Sequence, residues 1–167
     1  RKCNLIINYN FLKSKFFKYL SSFLKNKKYG KKISLFIKKS NPLAFDQKKY
    51  LGNWRSNKNL SSGIAEIQTV HYVNMLINLF GNLKVQSKFK SKFSKYKNTP
   101  TDTLNYTYSK KDFFINIFNS YSTVYEVQFE LYTSKAKLLY DGKTIKVFFS
   151  SKSINDNVRF TYPILAK

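Results

Sequence analysis

Apolar residues recur along this chain with two different periods, and the change between them divides it. Between residues 5 and 26, Tyr9, Leu12, Phe16, Leu20 and Phe23 return every three or four positions, with Lys15, Lys18, Ser22 and Lys25 on the other side. That is the pattern of an amphipathic helix, closed by Asn26 to Gly30. A second helix is predicted from Gly63 to Phe80. Its stripe is Ile64, Ile67, Val70, Val73, Ile77 and Phe80, broadened by Met75, Leu76 and Leu79. Ser62 suits its N-cap, Glu66 its positive end, and Gly81-Asn82 its stop.

Toward the C-terminus the period becomes two. Val127, Phe129 and Leu131 alternate with polar partners from Val124 to Tyr132. Ala136 to Tyr140 and Thr144 to Phe149 flank Asp141-Gly142, a type I′ hairpin signal, and Val158 to Tyr162 offers one more strand. Ile33 to Ile37 is a further strand candidate, set between lysine pairs. Asn41 to Ser62 is loop-like, rich in Asn, Ser and Gly around Pro42. Asn98 to Ser109 is another loop, and Phe113 to Phe118 is an apolar run of either type. The fold class is therefore α+β: two main helices packed on a C-terminal antiparallel sheet of about three or four strands, with a basic N-terminal extension. The expected domains are a basic helical arm at 1–40 and a single α+β domain at 41–167 with a basic loop or helix at 84–111.

Charge sharpens this outline. The chain has 167 residues and a formal charge of +23. A small domain needs a net charge of only roughly 2 to 8 for solubility. Such an excess points to nucleic acid, and less often to an anionic membrane surface. Twelve basic residues precede the first acid, Asp46. The densest stretch is Lys84 to Lys97, with Lys84, Lys88, Lys90, Lys92, Lys95 and Lys97 and no acid. Val85, Phe89, Phe93 and Tyr96 are spaced four, four and three apart, as on one face of a helix. They serve either as core or as stacking groups among phosphate-binding lysines. The candidate RNA-binding residues are these six lysines with Lys27, Lys28, Lys31, Lys32, Lys38, Lys39, Lys48, Lys49, Arg55 and Lys58. Trp54, Phe89, Phe93 and Tyr96 are the candidate base-stacking residues, although a core plug is the preferred reading of Trp54.

Composition adds a coding argument. Only three of the 31 basic residues are Arg, and Asn occurs 17 times. Lys, Asn, Phe, Tyr and Ile share A/T-rich codons, which suggests an A/T-rich organellar genome. Cys3 is the single cysteine, so an internal disulfide is excluded. No apolar run approaches the ~20 residues of a membrane span, and Leu5-Ile6-Ile7 is too short for a secretory signal. The five glycines form no Gly-x-x-Gly, phosphate loop or dinucleotide fingerprint. With His71 the single histidine and eight scattered acids, no catalytic or metal-binding constellation emerges, so neither an enzyme nor a cofactor is expected.

Asn41-Pro42-Leu43-Ala44-Phe45 followed by Asn53-Trp54-Arg55-Ser56 resembles the opening of organellar small-subunit ribosomal proteins of the third universal family, a KH-domain family. Asn41, Pro42, Trp54 and Ser56 are the matching positions. Asp46 stands where the family has arginine, and the family's Gly-x-x-Gly loop is absent. The resemblance implies a mitochondrially encoded small-subunit ribosomal protein of a protist. It would be a structural constituent of the mitochondrial ribosome in the matrix, with rRNA and other ribosomal proteins as partners and no small-molecule substrate. The alternative expectation is an accessory subunit of a respiratory complex or ATP synthase, using the basic helix at a membrane surface.

Overall fold

A computed structural model describes residues 10–61, 63–150 and 163–165. The features expected at Cys3, Leu5-Ile6-Ile7, Tyr9, Ser62 and Val158–Tyr162 lie outside the described residues. The strands are β1 (Lys32–Ser40), β2 (Lys84–Ser91), β3 (Thr103–Lys110), β4 (Phe113–Ser120), β5 (Glu126–Thr133), β6 (Ala136–Tyr140), β7 (Ile145–Ser150) and the three-residue β8 (Pro163–Leu165). They form one sheet in the order β2-β3-β4-β1-β5-β6-β7-β8. The fold is thus α+β, but the sheet is mixed and starts at residue 32 rather than in the C-terminal third. β1 runs parallel to β4 and antiparallel to β5. The chain between β1 and β4 holds a helix and a strand pair, the long crossover that a parallel pairing requires.

One face of the sheet is covered. Leu35 and Ile37 of β1, Ile115 and Ile117 of β4, Phe129 and Leu131 of β5, Leu104 of β3 and Leu138 of β6 are fully buried on it. Two helices lie against them: α2 (Lys15–Lys25), preceded by the single turn α1 (Asn10–Lys13), and α4 (Val70–Phe80). The short α3 (Gln47–Leu51) sits in the segment expected to be loop. From α2, Phe16, Leu20 and Phe23 enter the core, where Phe16 meets Phe129 at 4.8 Å and stacks on Tyr140 at 4.1 Å. Each such side chain contributes about 1.5–3 kcal/mol on burial. α2 begins at an N-cap, Ser14, whose hydroxyl accepts from the Phe17 N–H at 3.0 Å.

α4 differs from its sequence pattern in one respect. Its buried residues are Tyr72, Met75, Leu76 and Phe80, while Ile77 is exposed and Val70 and Val73 are half-buried. The five residues before it, Ala65–Thr69, form a π-helical turn. The wider turn shifts the angular register by part of a residue spacing, so the stripe read from Ile64 onward rotates off the core. The stop is as expected: Gly81 takes φ +72° and its N–H donates to the Ile77 carbonyl at 2.7 Å.

Residues 84–111, expected as a basic loop or helix, are two strands and their connection. β2 pairs antiparallel with β3 in the register Lys88↔Tyr106 and Lys90↔Leu104. It is the edge of the sheet and is exposed along almost its whole length. The four-residue spacing of Val85, Phe89 and Phe93 is equally a multiple of two. Lys88, Lys90 and Lys92 alternate with Phe89, Ser91 and Phe93, which is the strand period. Residues 98–109, expected as loop, largely form β3, whose Leu104, Tyr106 and Tyr108 alternate toward the core.

Candidate functional site

Among the described residues no helix packs on the second face of the sheet. Strand by strand it presents Asn105 and Thr107 of β3, Phe114, Asn116 and Phe118 of β4, Phe36 and Lys38 of β1, Gln128, Glu130 and Tyr132 of β5, and Lys137 of β6. These residues follow from the alternation that buries their neighbours on the other face. At the centre, the Phe36 ring meets Phe114 at 5.6 Å and Tyr132 at 6.0 Å, both edge-to-face. Phe114 remains 42% exposed.

Two lysines of this face are ion-paired. Lys137 Nζ lies 2.9 Å from Glu130 Oε2, and Lys38 Nζ lies 3.9 Å from Glu126 Oε1. The Tyr132 hydroxyl donates to Glu130 at 2.5 Å, and the Gln128 amide donates to the same carboxylate. Partial burial alone would raise the Glu130 pKa, but the Tyr132 hydroxyl and Lys137 outweigh it and hold the carboxyl below its ordinary value. Burial would lower the Lys137 pKa, and the Glu130 and Tyr132 bonds raise it instead. Asn116 donates to Asn105 at 2.6 Å and to Thr107 at 3.2 Å. At one end of the face, Phe89, Phe93 and Phe118 line an apolar groove of about 290 Å³. The result is an aromatic, hydrogen-bonded surface with ion-paired lysines at its centre and Lys84 and Lys146 toward its two sides.

The lysines and aromatics singled out in the sequence do not converge. Lys27 and Lys28 sit on a 3-10 turn after α2, where Lys28 Nζ lies 4.9 Å from the Tyr29 ring. Lys31 and Lys32 lead into β1. Lys38 is on the open face, and Lys39, on the opposite face, lies 4.4 Å from the Tyr125 ring. Lys48 and Lys49 are on α3, with Lys49 paired to Asp46 at 3.1 Å. Arg55 stacks 4.8 Å from the Trp54 ring, and Lys58 follows in the next loop. Trp54 is 52% exposed, so it is not a core plug. Lys84, Lys88 and Lys90 lie on β2, and Lys92, Lys95 and Lys97 on the connection to β3. Phe89 and Phe93 are 56% and 61% exposed, while Tyr96 is half-buried against Tyr50 at 6.0 Å.

That connection is organised by a residue the sequence reading passed over. Asp102 is fully buried, and its carboxylate accepts from the Phe93 and Ser94 N–H groups at 3.0 and 2.7 Å and from the Thr103 hydroxyl at 3.1 Å. An acid adjacent to a strand start, in a segment crowded with lysines, was the available signal. Among the described residues no group of His, Cys, Asp and Glu could hold a metal, and no helix is long and apolar enough to cross a membrane.

No protein family matches the sequence, and no curated protein matches it either. The fold does have solved counterparts. WlbA dehydrogenase from Bordetella pertussis, determined with NADH and UDP-GlcNAcA, is similar over 92% of this chain and 46% of its own, with a TM-score of 0.75 at 15% identity. An NAD-binding oxidoreductase from Klebsiella pneumoniae is similar over 95% of this chain and 45% of its own, with a TM-score of 0.72 at 14% identity. Levoglucosan dehydrogenase with NADH is similar over 90% and 46%, with a TM-score of 0.69 at 13% identity. The chain thus spans less than half the length of these proteins.

These likenesses correct the sequence reading. The fold is one found in nicotinamide-dependent oxidoreductases and not a ribosomal KH domain. The ribosomal identification falls with it, as do the respiratory-accessory alternative, the rRNA and ribosomal-protein partner set, the exclusion of small molecules and the exclusion of an enzyme. The physical reason lies in the charge. Lys84, Lys88 and Lys90 lie on the exposed edge strand β2, where lysine disfavours pairing with another chain and needs no polyphosphate.

A nicotinamide dinucleotide does not fit the described residues. Its usual cradle is a parallel strand, a glycine-rich turn and a helix N-terminus. The one parallel strand pair among the described residues, β1 with β4, has no glycine between Gly30 and Gly52, and β1 leads into Pro42 and a 3-10 turn.

Proposed function

We propose that this chain acts as the sheet domain of a dehydrogenase-like oxidoreductase, with the dinucleotide held by a nucleotide-binding unit other than the described residues. The observation that supports this reading is the match in extent: nearly all of this chain aligns with under half of each NAD(P)-dependent counterpart. The described residues of this chain form a mostly antiparallel sheet with no glycine-rich cradle, which fits a half that does not itself hold the dinucleotide. Such a half supplies surfaces for substrate and assembly, and the hydride chemistry resides with the cofactor.

The open face is the assembly surface in this reading. Seven strands at ~4.8 Å spacing, most about eight residues long at ~3.4 Å each, give a face of roughly 800 Å². That is close to the ~800 Å² each partner contributes to a stable interface. Aromatic groups at its centre, with Lys38 and Lys137 ion-paired beside them, fit a protein partner, because interface cores favour aromatics. The test is to isolate the native assembly that contains the chain and extract its cofactors. Bound NAD(H) or NADP(H) in the assembly, and none on the isolated chain, is the expected result. An assembly free of dinucleotide, or one in which RNA is the only bound nucleotide, overturns the proposal.

A further inference from the structure

We propose that the cleft where the start of β1 meets the β3–β4 turn is a binding site for a small phosphomonoester with a ring or apolar body. This cleft of about 560 Å³ is lined by Lys31, Lys32, Lys110 and Lys111, with Asp112 as its one acid. Its volume lies within the ~300–1,000 Å³ range of small-molecule sites. Four ammonium groups against one carboxylate leave a local positive excess. The ion pairs Lys38–Glu126, Lys49–Asp46 and Lys137–Glu130 all lie elsewhere.

The fold brings these groups together by topology. β1 and β4 are parallel, so their starts lie side by side, and Ser34 is level with Phe114. The turn carrying Lys110 and Lys111 immediately precedes β4. Phe80, the last residue of α4, reaches the same end of the sheet. Its carbonyl accepts from Lys110 Nζ, which places that ammonium at the negative end of the helix. Lys32 Nζ sits 5.9 Å from the Phe80 ring, and Phe80 packs on Phe113 at 4.8 Å. The cleft therefore has cations at its rim and half-buried Leu24 and Leu79 in its lining beside the buried Phe80 and Phe113 rings, an arrangement for an anion carried on an apolar body.

Two backbone features hold the rim in place. The Lys31 N–H donates to the Ser134 hydroxyl at 3.0 Å, and the Lys31 carbonyl accepts from the Ser134 N–H at 2.8 Å. Gly30, at φ +83°, allows this approach; a Cβ there would lie 2.3 Å from the Ser134 hydroxyl. On the other side Lys111 occupies the left-handed region at φ 52°. That conformation belongs to the tight turn that pairs Lys110 with Phe113, and it fixes where the Lys111 backbone sits. A dianionic phosphate fits because the four cations line one concavity.

The site stands apart from the oxidoreductase reading, since it requires neither a dinucleotide nor a partner. Equilibrium dialysis of the full chain against phenyl phosphate tests it, with two double variants as comparison. Lys31→Gln/Lys111→Gln removes two exposed cleft cations. Lys88→Gln/Lys90→Gln removes the same charge from the β2 edge. The chain should bind phenyl phosphate saturably, about one per chain. The cleft variant should bind at least about tenfold more weakly and the edge variant within about twofold of the unmodified chain. Unchanged thermal unfolding of both variants shows that folding is intact. Equal losses in the two variants, absence of saturable binding, or displacement by heparin alone and not by inorganic phosphate would each overturn the proposal.

Discussion

β1 and β2 are written in nearly the same alphabet, yet one is the middle of the sheet and the other its edge. Both mix lysines with Ile, Val or Phe. In β1 the lysines stand at the ends, Lys32 before the apolar run and Lys38-Lys39 after it, so Leu35 and Ile37 are fully buried between them. In β2 the lysines recur through the middle, Lys88 and Lys90 falling at alternate positions on the side that would otherwise face the helices. Any apolar residue between them points to the opposite, open face, as Phe89 does. The position of lysine within a strand, more than its number, decides whether the strand can be covered on both edges. An edge strand with alternating lysines also resists pairing with another chain, because a second strand would bring like charges together.

The largest predicted effect tests the covered side of this comparison. Phe129→Ala removes a fully buried ring that touches Phe16, Tyr72 and Tyr140. It should cost about 3–5 kcal/mol, read by chemical denaturation, whereas Phe89→Ala on β2 should cost under ~1 kcal/mol. Similar losses at the two sites would mean that β2 is not a true edge. Next is the connection that ties β2 to β3. Asp102→Ala leaves the Phe93 and Ser94 N–H groups without their acceptor. We expect a loss of about 2 kcal/mol, with amide exchange accelerated from residue 84 to 94 and unchanged in β1. Uniform acceleration throughout the sheet would refute the local role of Asp102.

Much of the covered face was legible in the sequence. α2, the Gly81 stop, the alternation of β5 and the β6–β7 hairpin all carry strong local signals, and local preference agrees with the fold at each of them. The hairpin turn is longer than Asp141-Gly142 implied: Tyr140 pairs with Ile145, leaving four residues between the strands. The open face was not legible, because its content is a cross-strand property. Phe36, Phe114 and Tyr132 are far apart in sequence and meet only through the registers of β1 with β4 and β5. β3 was hidden by Asn105, Thr107 and Ser109, polar residues that suggest a loop until one sees that they occupy an uncovered face. The π-helical turn before α4 has no compositional mark, so the helix face was read from the wrong phase. The lysine cleft was invisible for the same reason as the open face, since Lys31 and Lys111 lie on different strand connections.

A smaller effect should appear on the uncovered edge. Lys88→Val/Lys90→Val should leave the unfolding midpoint within ~0.5 kcal/mol of the unmodified chain, because both positions are exposed. It should instead promote concentration-dependent association, visible by light scattering, as the edge loses its charge. A variant that stays monomeric at all concentrations would show that the lysines of β2 serve some purpose other than guarding the edge.

The smallest effect is a pH dependence in the exposed β6–β7 turn. The Asp141 carboxylate accepts from the Thr144 N–H and hydroxyl, each at 2.7 Å, and from the Lys143 N–H at 2.9 Å. The Thr144 N–H is the chief cause, followed by its hydroxyl and then Lys143, of a pKa lowered to about 2. An unfolded chain titrates this group near ~3.9. Because the folded value is depressed, the turn's contribution is complete above that unfolded value and disappears as pH falls toward 2. The Thr144 amide resonance should therefore titrate with a midpoint near 2. Asp141→Asn should abolish that titration and flatten the acid limb of hairpin stability while leaving β1 and β2 untouched. A Thr144 midpoint at the ordinary carboxylate value would mean that the turn is open in solution, and the contrast between an ordered hairpin and a charge-guarded edge would then have to be drawn differently.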